Sequence, residues 1–202
     1  MVEGKIIDLV RADGELVEIQ TSHLSQLKSK VFKLAEMGYR VRVVYPVSVS
    51  CELHRLDPMT NELLSVRRSP KRGDIYCLFD ELVRAPELVA ANNITFEVLL
   101  IRSIEIKTRD GSGSWWRKGD RTVDKELAEV LSSRSFDSRE QWLAIIPESL
   151  AHPWDSAVLA ESLGISSAKA RKILYCFCRA GIISELGKKG RFKTYEKLSM
   201  MP

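Results

Sequence analysis

The chain has 202 residues, 45% hydrophobic and 29% charged, with a formal charge of +4. That length suits one large domain or two small ones with cores of their own, and the composition excludes a wholly disordered chain. No apolar run approaches the roughly 20 residues of a membrane span, and the acid at position 3 follows no basic-then-apolar leader, so a cytoplasmic protein is expected.

Residues 6–21, IIDLVRADGELVEIQT, form two β-prone runs around a turn signal, with Asp8 in the first run and Glu18 in the second. A two-residue turn at Asp13-Gly14 pairs positions summing to 27 and sets Asp8 beside Ile19. A three-residue loop, Ala12-Asp13-Gly14 with the glycine at a left-handed bulge position, pairs positions summing to 26 and sets Asp8 opposite Glu18. Ser22 is placed to cap a helix through Met37, whose Leu24, Leu27, Val31 and Leu34 share a face, and Gly38 stops it. Residues 39–47, YRVRVVYPV, read as a strand, which makes the helix a crossover to a parallel neighbour.

Residues 48–73 read as a second hairpin, CELHRL and LLSVRR around Asp57–Asn61, followed by the basic RRSPKRG. Arg67, Arg68, Lys71 and Arg72 suit a solvated loop and a phosphate-contacting loop equally. A helix over 74–83 and a turn at Pro86 lead to a β run over 94–109, which extends the first sheet. Residues 110–119, DGSGSWWRKG, have linker composition and set the expected boundary, giving domains of 1–118 and 119–202. Trp115 and Trp116 beside Arg117 and Lys118 suit either base stacking or packing between domains. Helices are expected over 122–133 and 138–146, the second opened by Asp137-Ser138 with Glu140 in a capping arrangement.

From 151 onward nine Lys and Arg stand against four Asp and Glu, a balance of +5 that points to an anionic partner for this end. Cys51, Cys77, Cys176 and Cys178 have neither disulfide-framework nor zinc spacing and read as buried thiols in a reducing compartment. His23, His54 and His152 are scattered singly and take no catalytic role.

Between Trp154 and Leu198 the pattern is helix, glycine turn at Gly164-Ile165, helix, then two β runs around Gly187–Gly190. With Ala160, Gly164, Ile165, Ile173, Leu174 and Phe177 in core positions, it resembles the winged-helix family. The resemblance implies an α+β domain with a recognition helix over 166–180. Its Ser167, Lys169, Arg171 and Lys172 would face a groove of double-stranded DNA, and Lys188, Lys189 and Arg191 in the wing would touch phosphate. The alternative is a dimerisation or protein-docking module whose charges are a solvated face.

Two facing carboxylates, Asp8 and Glu18, repel unless something neutralises both, and a divalent cation is a natural candidate. Here the hairpin resembles the PD-(D/E)XK nuclease superfamily, a mixed α/β, restriction-endonuclease-like fold. Asp8 matches the first acid, Glu18 the second, and Gln20 stands at the lysine position. The resemblance implies catalysis by Asp8, Glu18 and Gln20, with Mg2+ or Mn2+ on Asp8 and Glu18. Gln20 can orient water but lacks a lysine's charge, and Lys28 or Lys30 on the next helix is the candidate substitute. The helix and first strand that the superfamily sets before its first acid are absent or cut to a few residues, with Glu3 as a candidate remnant. The competing reading leaves Asp8 and Glu18 facing solvent, or paired with Arg11, Arg40 or Arg42.

The whole arrangement resembles an uncharacterised bacterial family joining a nuclease-like fold to a winged helix. The implied function is a metal-dependent DNA endonuclease-like protein. The alternative is a non-catalytic DNA-binding or regulatory protein on a degenerate nuclease fold, and a protein-interaction adaptor is a third reading. A homodimer is open, because single-site and dimeric cutters look alike at this level.

Overall fold

The computed structural model describes residues 1–109, 120–150 and 153–198. Trp115, Trp116, Arg117, Lys118 and His152 lie outside them. The class is mixed α/β. The elements in order are β1 (Leu9–Val10), β2 (Leu16–Ile19), α1 (Leu24–Glu36), β3 (Val41–Leu56), β4 (Leu63–Arg68), α2 (Leu78–Leu82), β5 (Ile94–Thr108) and β6 (Arg121–Phe136). They are followed by α3 (Arg139–Leu143), β7 (Trp154–Asp155), α4 (Ser156–Leu163), α5 (Ser167–Arg179), β8 (Ile183–Lys189) and β9 (Phe192–Lys197).

The first sheet has the order β1-β2-β3-β5-β6, with β4 also on β3. β1 and β2 are antiparallel and β2 and β3 parallel, so α1 is the expected crossover. α1 buries Leu24, Leu27, Val31 and Leu34, the stripe read from the sequence. Its N-cap is His23 at φ 59°, not Ser22, and the Glu81 carboxylate of α2 takes the Leu24 N–H at 3.3 Å, so a hydroxyl cap is not needed there.

Residues 122–133 correct the expected helix: they belong to β6, next to β5. Val123, Leu127, Val130 and Leu131 recur at a helical period among good helix formers, and pairing with a neighbouring strand overrides that local preference. The compact units follow from this pairing. One comprises residues 1–45, 76–98 and 134 onward; the other comprises 46–75 and 99–133, so β5 and β6, which flank the expected break at 118/119, each contribute to both units.

The first unit closes around aromatic rings from both of the expected domains. Phe136 stacks on Trp142 of α3 at 4.4 Å between centroids, Phe79 meets Trp142 edge-on at 6.1 Å, and Phe177 of α5 meets Phe79 at 5.5 Å. Cys176 is buried beside Phe177, and burial pushes its thiol up to about 12. In this unit the chain after 136 runs α3, β7, α4, α5, β8, β9, with a small sheet ordered β7-β9-β8. Gly164 closes α4 at φ 63°, and Asp155 and Ser166 cap α4 and α5.

The second unit is sheet, built from the later parts of β3 and β5 with β4 and most of β6, and its described residues include no α-helix. Gly73 is required there by close approach: a Cβ on it would lie 2.7 Å from the Ser48 carbonyl oxygen, to which its own N–H donates at 2.9 Å.

Candidate functional site

The opening hairpin has the three-residue loop. Arg11 N–H donates to the Glu15 carbonyl and Gly14 N–H to the Arg11 carbonyl, both at 2.9 Å, and Gly14 sits at φ 80°. The register pairs Leu9 with Val17 and Val10 with Leu16, positions that sum to 26 and bring Asp8 opposite Glu18.

The two acids meet different surroundings. Asp8 is exposed, and its Oδ2 accepts the Ile19 N–H at 2.8 Å, closing the hairpin beyond its last strand pair. Glu18 is 4% exposed, on the sheet face that carries Leu16 and, through the parallel register, Val41 and Val43. Its Oε1 meets the Lys30 ammonium of α1 at 2.5 Å. Of the two lysines considered, Lys30 is thus at the acid, whereas Lys28 pairs with Glu87 at 3.0 Å. Gln20 is half-buried and donates its side-chain amide to the Ser22 carbonyl, which leaves its amide oxygen as an acceptor.

The arginines proposed as partners of Asp8 and Glu18 serve other acids. Arg42 grips Glu15 through Nε at 2.9 Å and Nη2 at 3.1 Å, Arg11 adds a bond at 3.0 Å, and Arg40 pairs with Asp13 at 3.1 Å. Arg42 also reaches Glu97 at 3.0 Å. The guanidinium beside Glu15 holds its carboxyl below the usual carboxylate range and raises Arg42 in turn. Sequence reasoning missed this network. The signal was present: in the parallel register Arg42 lies beside Val17, and Glu15 shares that strand face.

On α5, Ser167 and Arg171 are exposed as expected. Lys169 and Lys172 are half-buried: Lys169 reaches the Cys77 sulfur at 3.6 Å, and Lys172 pairs with Asp80 of α2 at 2.7 Å. Lys188, Lys189 and Arg191 stand exposed at the β8–β9 turn, with Arg191 over the Phe192 ring at 5.0 Å. Arg67, Arg68, Lys71 and Arg72 are also exposed, and Arg72 is folded back onto the Ser69 carbonyl at 2.6 Å.

Residues 1–137 match the family model described as "Domain of unknown function (DUF8091)". The chain belongs to the DUF8091 family. A relative from Treponema pallidum (strain Nichols), described as an uncharacterized protein, is 32% identical over 197 residues, covering 97% of this chain and 76% of the relative. No solved structure matches. The DUF8091 match runs from β1 through β6 and contains Asp8, Glu18, Gln20 and Lys30, while α3 to β9 lie beyond it.

Proposed function

We propose that this DUF8091 protein is a metal-dependent DNA endonuclease-like protein whose opening hairpin carries the hydrolytic centre and whose C-terminal elements grip duplex DNA. The observation that carries the reading is Lys30 beside the buried Glu18, since it supplies, from the helix, the charge that Gln20 lacks. The donor set fits a hard divalent ion. Asp8 has one oxygen beyond its bond to Ile19, Glu18 adds a second carboxylate, and magnesium takes only one or two and keeps its waters. Among the described residues no group of three or more His, Cys, Asp and Glu that could hold a metal ion gathers. Asp8 and Glu18 would hold magnesium or manganese, which when bound supplies Lewis acidity toward a phosphodiester. Gln20 offers its amide oxygen to orient the attacking water, and the Lys30 ammonium stands ready to balance charge that develops on phosphate.

The DNA-binding part of the proposal is supported by the order helix, strand, helix, helix, strand, strand and by the β7-β9-β8 sheet, which the winged-helix reading calls for. Because Lys169 and Lys172 are held by Cys77 and Asp80, the contact falls to Ser167 and Arg171 on α5 and to Lys188, Lys189 and Arg191 at the β8–β9 turn. One observation favours the second reading, a non-catalytic DNA-binding protein: Asp8 closes the hairpin and Glu18 is neutralised within the chain, so both acids have structural work without a metal. Incubation with supercoiled DNA and magnesium or manganese, against a chelator, separates the two. Metal-dependent cutting lost in Asp8→Asn, Glu18→Gln and Lys30→Met supports the first. Intact but gel-retarded DNA supports the second, and no DNA affinity at low salt removes both.

A further inference from the structure

β6 is the last strand of its sheet: β5 lies on one side, and among the described residues no strand lies on the other. Residues 123–134 are exposed throughout, on both faces of the strand, including Val123, Leu127, Val130 and Leu131. Proteins usually blunt such an edge by keeping it short, by a proline or by charged side chains; this strand runs 16 residues without a proline, and its charges are of both signs, so they can also complement a suitably placed partner strand. Lys125 donates its backbone N–H to the neighbouring Asp124 carboxylate at 2.7 Å.

We propose that this edge pairs with β6 of a second copy of the chain, antiparallel, about a two-fold axis at Leu127. Positions summing to 254 then face each other: Leu127 meets Leu127, and by symmetry Val123 meets Leu131 twice and Lys125 meets Glu129 twice. The charges select this register. Moving the axis by one residue sets Glu126 against Glu126 on one side, and on the other leaves Lys125 and Glu129 without opposite charges. Within one chain Glu129 pairs with Arg102 at 2.8 Å and Lys125 approaches Glu105 at 3.7 Å. Pairing therefore completes a row of alternating sign, Arg102 and Glu129 of one copy followed by Lys125 and Glu105 of the other. This complementarity is what argues for a second copy over an unrelated strand.

The test uses the full chain with Lys125→Glu and Glu129→Lys, followed by sedimentation equilibrium, with circular dichroism confirming that both variants fold. The wild type is expected to be a dimer. Each variant sets two like-charge pairs across the axis and should raise the dissociation constant at least about tenfold. An equimolar mixture of the two should regain the dimer, because K125E opposite E129K restores opposite charges at both symmetric positions. Leu127→Cys, which removes no charge, should cross-link to itself on oxidation. A monomeric wild type, a dimer indifferent to both charge reversals, variants that do not rescue each other, or no Leu127→Cys cross-link overturns the proposal.

Discussion

The ion pair between Glu18 and Lys30 makes a quantitative prediction, because its two ends are buried to different depths. The Glu18 side chain is 5% exposed and the Lys30 side chain 23%. Lys30→Met leaves a nearly dry carboxylate without its cation, and removing one partner of a buried pair costs about 3–5 kcal/mol, less where water still reaches; about 2–4 kcal/mol is expected. Glu18→Gln leaves an ammonium that can turn toward water, and about 1–2 kcal/mol is expected. The double variant Glu18→Gln/Lys30→Met buries neither charge, so it should be more stable than the sum of the single losses implies, by about 1–3 kcal/mol. Urea unfolding of the four proteins at fixed pH and salt gives the cycle directly. Single effects that add to within about 0.5 kcal/mol, or a Glu18→Gln loss larger than the Lys30→Met loss, would refute the reasoning.

Glu15→Gln should cost about 1.5–3 kcal/mol, since the charge-assisted grip of Arg42 and Arg11 is lost. The folded protein lowers the Glu15 carboxyl below its ordinary 4.5, so that stabilisation is present above about 4.5 and disappears as pH falls through the lowered value. Acid titration of stability should accordingly be shallower in the variant; an unchanged profile would show that Glu15 contributes nothing to it. If the proposed DNA binding holds, replacing Lys188, Lys189 and Arg191 together by Ala should flatten the dependence of log K for duplex DNA on log salt by up to about 3, at roughly 0.9 per phosphate contact, and an unchanged slope would refute the proposed contact at the β8–β9 turn. A chain cut at 118 loses Phe136, Trp142 and Phe177 from around Phe79 and should show no cooperative thermal transition; a sharp transition for 1–118 would mean that the N-terminal part has a sufficient core alone.

What was legible in the sequence was local and periodic. The α1 stripe, the Gly14 loop, the register of the first hairpin, the second hairpin and the C-terminal series of elements all follow from short-range patterns that the structure repeats. The β6 strand did not, because its apolar spacing and its Lys, Glu, Leu and Ala content describe a helix, and only its place beside β5 makes it a strand. The two compact units divide elsewhere than at 118/119 for the same reason. A glycine- and serine-rich segment between two paired strands has the composition of a linker, yet both strands contribute to one unit. Lys30 was nameable as a candidate, but its choice over Lys28 depends on how α1 is turned over the sheet, which the helical stripe alone does not resolve.

The acids of the opening hairpin show how much a strand's parity decides. Glu15 and Glu18 are three positions apart, so they point to opposite faces of β2. Each is buried, and each finds its cation on a different neighbour: Arg42 of β3 for Glu15, Lys30 of α1 for Glu18. Asp8 lies beyond the strand pair, where a side chain can replace a missing backbone acceptor, and there it closes the ladder at Ile19. A fork of two bonds fixes the Glu15 carboxylate, and arginine remains charged under all ordinary conditions, so that site is built for rigidity. Glu18 is met by one lysine, a point charge on a flexible stem that can be displaced or re-aimed without dismantling a bidentate pair. Of the three acids, then, the buried one held by a single flexible partner is also the one placed opposite Asp8, and that is why the proposed hydrolytic centre is assigned to this pair and not to Glu15.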